Sequence, residues 1–146
     1  MLYDERDMRP LAFIRLNTSL GKAKPITIRA RIDSGASESI VKAKFVKKLR
    51  TRKHKRKSTV WSTPAGNLTT HSQVKAQFTI PELQDKKMIE WNLHVAEDMG
   101  AYDMIIGQDL FSFLGIDIRF SAQEVVWDGR SMPFKPVDAT VELTTM

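Results

Sequence analysis

Asp33-Ser34-Gly35-Ala36-Ser37 stands at the end of an alternating apolar row, Ile26, Ile28, Ala30 and Ile32. Two readings are open for an aspartate so placed. In the first, Asp33 and Ser34 bond the local backbone and Gly35 supplies a turn, an ordinary strand exit. In the second, a tight, rigid turn presents the carboxylate to a reactant as a general acid or base. Gly35 then lets the backbone fold sharply and approach a ligand. Ser34 hydrogen-bonds across and holds the carboxylates in plane. Other chemistries find no support. His54, His71 and His94 show no metal-ligand spacing. His71 and His94 fall on the polar faces of expected strands and His54 within a basic run, so all three read as solvated. HExxH, P-loop and GxGxxG patterns are absent, and Ser34 lacks the G-x-S-x-G context of a serine nucleophile. The chain has no cysteine, which excludes thiolate nucleophiles, disulfide scaffolds and cysteine-ligated metals. No metal and no cofactor is expected.

The 146 residues suit one domain and one hydrophobic core, but not two sizeable lobes. An apolar fraction of 42% is ordinary for a folded chain. The net charge of +6 is local. Lys42 to Lys57 holds ten Lys or Arg and no acid, which leaves 13 basic against 17 acidic residues elsewhere, or −4. A patch of this kind meets a nucleic acid, a membrane surface or an acidic partner. The first residues mix charges and show no leader, and no stretch approaches the roughly 20 apolar residues of a membrane span. The expectation is a soluble, intracellular protein with no membrane partner.

The elements that must position Asp33 are mostly strands. Period-two alternation marks Leu11 to Leu16, Ile26 to Ile32, Leu68 to Ile80 and Met88 to Ala96. Ile116, Ile118 and Phe120 followed by Val125-Val126-Trp127 read as a hairpin. Pro64-Ala65-Gly66-Asn67 reads as the tip of a long hairpin between Thr59-Val60-Trp61 and Leu68. Two short helices are expected. Ala43 to Arg50 places Phe45, Val46 and Leu49 on one face, and Asp109 to Leu114 ends at a left-handed cap on Gly115. The fold class is all-β, a sandwich or closed barrel with one or two short helices.

A second motif changes the weight of the first. In Tyr102-Asp103-Met104-Ile105-Ile106-Gly107-Gln108-Asp109-Leu110, an apolar strand ends in glycine and runs at once into a helix. Asp33-Ser34-Gly35-Ala36-Ser37, a hairpin tip at Gly66 and Ile105-Ile106-Gly107-Gln108-Asp109-Leu110, in that order, resemble the retropepsin family of aspartic proteases. Leu114-Gly115-Ile116-Asp117-Ile118, Val126-Trp127-Asp128-Gly129 and Met132-Pro133-Phe134 are similar to Ty3/Gypsy-type retroelement proteases. The resemblance covers roughly Leu11 to Pro136, with one departure. Gln108 stands where the family usually has arginine, and Ser37 stands where many members carry that arginine's aspartate partner. Both charges are missing together, so no lone buried charge results, and a neutral contact from Gln108 to the active-site loop would substitute.

The resemblance implies a retropepsin-like closed β-barrel that acts as a symmetric homodimer. One Asp-Ser-Gly in a chain too short for two lobes means that the second carboxylate comes from another copy. Asp33, Ser34 and Gly35 are the implied catalytic residues. Ala36, Ser37, Ile105 and Ile106 are the implied substrate-binding residues, joined by Thr63, Pro64, Ala65, Gly66 and Asn67 of a flap. Ile32 and Ile40 are candidates for core or pocket wall. The implied substrate is the element's own polyprotein. Residues 10–136 would form the protease domain, with 1–9 an N-terminal linker or dimer arm and 137–146 a C-terminal tail or linker. Lys42 to Lys57 would be a solvated loop, a contact for RNA or an acidic partner, or a nuclear-import signal. Two rivals stand beside this. One is a retropepsin-like domain of a host protein, such as the DNA-damage-inducible adaptor family. The other is a catalytically idle β domain that binds RNA or polyprotein through the basic segment.

Overall fold

The computed structural model describes residues 7–18, 24–47, 49, 51–53, 59–63 and 66–140. Pro64 and Ala65 of the expected hairpin tip, parts of the basic run including His54, and both chain ends lie outside the described residues. The strands in chain order are β1 (Met8–Arg9), β2 (Leu11–Leu16), β3 (Ile26–Ile32), β4 (Ile40–Lys42), β5 (Thr51–Lys53), β6 (Thr59–Thr63), β7 (Gly66–Ile80), β8 (Asp85–Ala96), β9 (Met104–Ile106), β10 (Asp117–Arg119), β11 (Glu124–Trp127), β12 (Arg130–Pro133) and β13 (Lys135–Pro136). The helices are α1 (Pro81–Gln84) and α2 (Gln108–Leu114).

Six strands close on themselves in the order β2-β3-β9-β4-β8-β7, and β7 returns to β2. Closure removes the free edges that an open sheet of this size would expose. Alternation fixes what fills the barrel. Ala12, Ile14 and Leu16 of β2 oppose Ala30, Ile28 and Ile26 of β3. Ile32 pairs with Ile106 in parallel, and Val74, Ala76, Phe78 and Leu93 join them inside. Each of the larger side chains, Val, Leu, Ile or Phe, contributes about 1.5–3 kcal/mol through burial. A one-residue slip of β3 would turn this set outwards, so the register is strongly specified. It is this register that delivers Asp33 to the outer side at the end of β3.

The long antiparallel pair β7–β8 is joined by α1, which the alternation does not reveal. Its start is legible in Pro81 at the first helical position and Glu82 in the first turn. The predicted hairpin of β10 and β11 is present and gains a third strand, β12. At the chain ends, β1 pairs with β13, and the Arg29 guanidinium donates to the carbonyls of Val137 and Ala139.

The expected helix over Ala43 to Arg50 is replaced by a single 3-10 turn at Ala43–Phe45. Lys42 offers no side-chain cap and the first turn holds no acid, so the opening N–H groups lack the partners that a helix start needs. Val46 leaves the helical region at φ −123° and ψ 20°, and Thr51–Lys53 pairs with β7 instead. Val46 and Leu49 are buried all the same. The second expected helix is present as α2, and Gly115 takes its left-handed cap with φ 77°.

Candidate active site

Asp33 continues the sheet by one residue, its N–H donating to the Ile106 carbonyl at 2.9 Å. The chain then turns tightly, and the Ala36 N–H donates to the Asp33 carbonyl at 3.2 Å. The carboxylate is held from its own loop, since Oδ1 accepts the Gly35 N–H at 2.9 Å. A Cβ at Gly35 would stand 3.3 Å from that oxygen and crowd it. Asp33 is half-buried, while Ser34, Gly35 and Ser37 are exposed and Ala36 is buried.

A second loop, from the end of β9 into α2, locks this turn. The Gln108 N–H donates to the Ala36 carbonyl at 2.8 Å, and the Asp109 N–H donates to the Ser37 carbonyl at 3.2 Å. The Gln108 side-chain amide donates to the Ser34 carbonyl at 2.6 Å, a neutral tie between the loops. Gly107 sits where they cross, and a Cβ there would meet the carbonyl oxygens of Glu38 and Ala36 at 2.7 and 2.8 Å.

Beneath the crossing, Ser39 and Asp109 form a hub that the sequence did not single out. The Ser39 hydroxyl accepts the Gly107 N–H at 2.9 Å and donates to Asp109 Oδ1 at 2.8 Å. Asp109 Oδ2 accepts the Ser39 N–H at 3.2 Å and the Trp91 indole N–H at 2.8 Å. Oδ1 also accepts the Leu110 N–H at 2.8 Å in the first turn of α2. The available signal was positional: an acid directly after the apolar-Gly-x step and opening a helix is placed to cap it.

The outer face of the sheet beside Asp33 carries a second apolar cluster of Ala36, Ile40, Leu68, Ala96, Met99 and Ile105, with Trp61 packed on it. Ile105 therefore faces the same side as Asp33. Ile106 and Ile32 point into the barrel core. The hairpin β6–β7 covers this cluster. Thr63 pairs with Gly66, and Ser62 pairs with Asn67, both residues of the second pair being exposed.

His94 corrects an expectation. It is 4% exposed rather than solvated. Its ring lies 4.7 Å from that of Trp61, and Nε2 is 3.4 Å from Glu38 Oε2 and 3.4 Å from the Gln73 amide nitrogen. Alternation assigned it to the polar face of β8, but that face lies under the hairpin, not in water. His71 is exposed, as expected. Among the described residues, no group of three or more His, Asp or Glu could hold a metal ion.

The family model described as "Retroviral aspartyl protease" matches residues 15–129, a span that contains both locked loops and the covering hairpin. The chain belongs to the retroviral aspartyl protease family. No curated protein matches the chain. Among solved structures, the retroviral protease-like domain of Ddi1 from Leishmania major is 18% identical with a TM-score of 0.63, over 92% of this chain and 100% of that one. The EIAV protease complexed with the inhibitor HBY-793 is also 18% identical, with a TM-score of 0.50 over 79% of this chain and 95% of that one. These likenesses establish the retropepsin-like fold. Within that family fold, this member ties its two loops through Gln108 and Ser34, with no arginine–aspartate pair between positions 108 and 37.

Proposed function

We propose that the chain is an aspartic endopeptidase whose site is completed by Asp33 of a second copy. The observation that carries this is the turn itself. A half-buried carboxylate on the sheet's outer face is held by the Gly35 N–H and locked by backbone bonds to the loop at Gly107 to Asp109. A rigid carboxylate of this kind suits general acid–base work, because it needs no reorganisation at the moment of reaction.

The chemistry follows from pairing. Two carboxylates facing one water across a two-fold axis cannot both ionise readily, so they share a proton, as in aspartic proteases generally. One Asp33 takes a proton from the water, which attacks the scissile carbonyl. The other, protonated, polarises the carbonyl oxygen and then helps protonate the leaving nitrogen. Ser34 ties the two active-site loops, and Gly35 presents its backbone to a peptide that lies extended like an added strand. The hairpin from Thr63 to Asn67 closes over the peptide and excludes water. Ala36, Ser37 and Ile105 line the cleft.

The substrate we infer is a retroelement polyprotein cut at apolar junctions, with residues 10–136 as the protease unit inside the cell. The tail Trp127-Asp128-Gly129 favours this over a host domain of the Ddi1 kind. The intact Asp33-Ser34-Gly35 argues against an idle domain that binds RNA or polyprotein through Lys42 to Lys57. The test is incubation with peptides that span the parent polyprotein's junctions. Cleavage is expected from the wild-type chain and not from a folded Asp33→Asn variant. Full activity in that variant sinks the assignment, and an active monomer in sedimentation sinks the paired site.

A further inference from the structure

Ile28, Ala30 and Ile32 point into the barrel, so Arg29, Arg31 and Asp33 share its outer face. Arg31 is therefore two residues from Asp33 on the same side, about 7 Å along the strand. Across the sheet its direct neighbours form one row. Leu11, Arg31, Ile105, Ile40, His94 and Gln73 are paired in turn on β2, β3, β9, β4, β8 and β7. The middle of that row, Ile105 and Ile40, is the apolar floor under the hairpin. Arg31 borders this floor on one side.

Among the described residues, no acid meets the charge of Arg31. Its Nη1 donates to the Tyr102 hydroxyl at 3.1 Å, and the guanidinium carbon lies 5.8 Å from the Tyr102 ring centroid. Nε is buried without an acceptor. No carboxylate among the described residues forms an ion pair with it. The nearby Asp103 is engaged elsewhere, its Oδ2 accepting the Arg29 backbone N–H at 2.9 Å. A half-buried guanidinium without a counter-charge is costly to maintain, and a carboxylate is its best complement. The tyrosine contacts hold it in place without neutralising it.

We propose that Arg31 determines specificity. Its guanidinium receives an acidic side chain, Asp or Glu, within two residues of the scissile bond. Strand spacing sets that limit, because an extended peptide advances about 3.3 Å per residue along a site whose centre is Asp33. The proposal rests on the endopeptidase reading.

The experiment uses the full chain and peptides that span the parent polyprotein's junctions, in pairs that differ only by Glu or Gln at each of the two positions on either side of the bond. At one position, kcat/KM for Glu should exceed that for Gln by about tenfold or more. Arg31→Leu should bring the ratio to about one, Arg31→Lys should keep part of it, and Arg31→Glu should invert it in favour of Gln. Thermal melts of the variants show that they remain folded, and the Lys variant guards against a merely structural effect. The same ratio is read without turnover by fluorescence anisotropy of labelled peptides on the Asp33→Asn variant. A wild type that binds with the Glu preference but cuts nothing overturns the endopeptidase reading alone. A wild type with no Glu preference, or an Arg31→Leu variant that keeps it, overturns the role of Arg31. If Arg31→Leu weakens self-association and leaves the ratio unchanged, the acid belongs to the second copy and the proposal fails.

Discussion

Gly107→Ala is the most local perturbation of the locked turn. Gly107 has φ −105° and ψ −170°, an extended conformation open to any residue, so alanine brings no backbone strain there. What it brings is a methyl group 2.7 Å from the Glu38 carbonyl oxygen and 2.8 Å from that of Ala36. Both contacts are backbone, in a loop fixed from two sides, so neither can rotate away. Overpacking of this kind costs about 1–3 kcal/mol. Separating the loops also weakens the bonds from Gln108 N–H to Ala36 and from Gly107 N–H to Ser39, at about 0.5–1.5 kcal/mol each. Against this, losing glycine's freedom in the unfolded chain returns about 0.4–1 kcal/mol. The net expectation is a loss of about 3 kcal/mol. For a chain of 146 residues this lowers Tm by roughly 6–10 °C, at fixed protein concentration. Peptide cleavage measured well below the new Tm should fall further than stability explains, because the displaced loop carries Asp33. Gly115→Ala is the matched control, with φ 77° and nothing within 4 Å of the added Cβ. It should cost about 1 kcal/mol through strain and leave kcat unchanged. A Gly107→Ala protein as stable and as active as the wild type would refute the crowding at this crossing.

Three further outcomes follow from named contacts. Asp109→Ala removes the acceptor of Ser39, Trp91 and Leu110 donors together, and should destabilise the chain by about 2–4 kcal/mol in denaturant titration, well beyond the loss from Trp91→Phe. Gln108→Leu breaks the tie to the Ser34 carbonyl and should lower kcat more than it lowers Tm, measured on the same peptide. Asp128 is exposed, and its hydrogen bond from the Lys87 ammonium, helped by Gln84, holds its carboxyl below the ordinary range. A lowered folded-state value means stability that is present above about pH 4 and lost as the pH falls through that lower value. Thermal melts of wild type and Asp128→Asn should therefore differ slightly near neutrality and converge in acid. A difference that grows in acid would contradict the sign.

Much of this architecture was legible in the residues. Alternation placed β2, β3, β7 and β8 and the side that each buries, because one face of each strand meets the barrel core. Gly115 marked the end of α2 because a left-handed cap favours glycine. The helix expected over Ala43 to Arg50 failed because apolar spacing alone does not supply a cap, and its buried residues are satisfied by one turn and a strand. The solvated assignment of His94 failed because alternation distinguishes two faces of a strand but not what covers the second. That cover is the hairpin β6–β7, whose Trp61 reaches His94 only through tertiary folding.

The sequence by itself determined that one carboxylate stands on a glycine turn at a strand end, and that no thiol chemistry is open to these 146 residues. These are local or arithmetical facts. Tertiary structure decided the rest: that Gly107 passes between two carbonyls, that Ser39 and Asp109 knit the loops from below, and that Arg31 borders the apolar floor under the hairpin with no acid partner among the described residues. Such relations join residues roughly 70 positions apart, and only strand register and barrel closure bring them together.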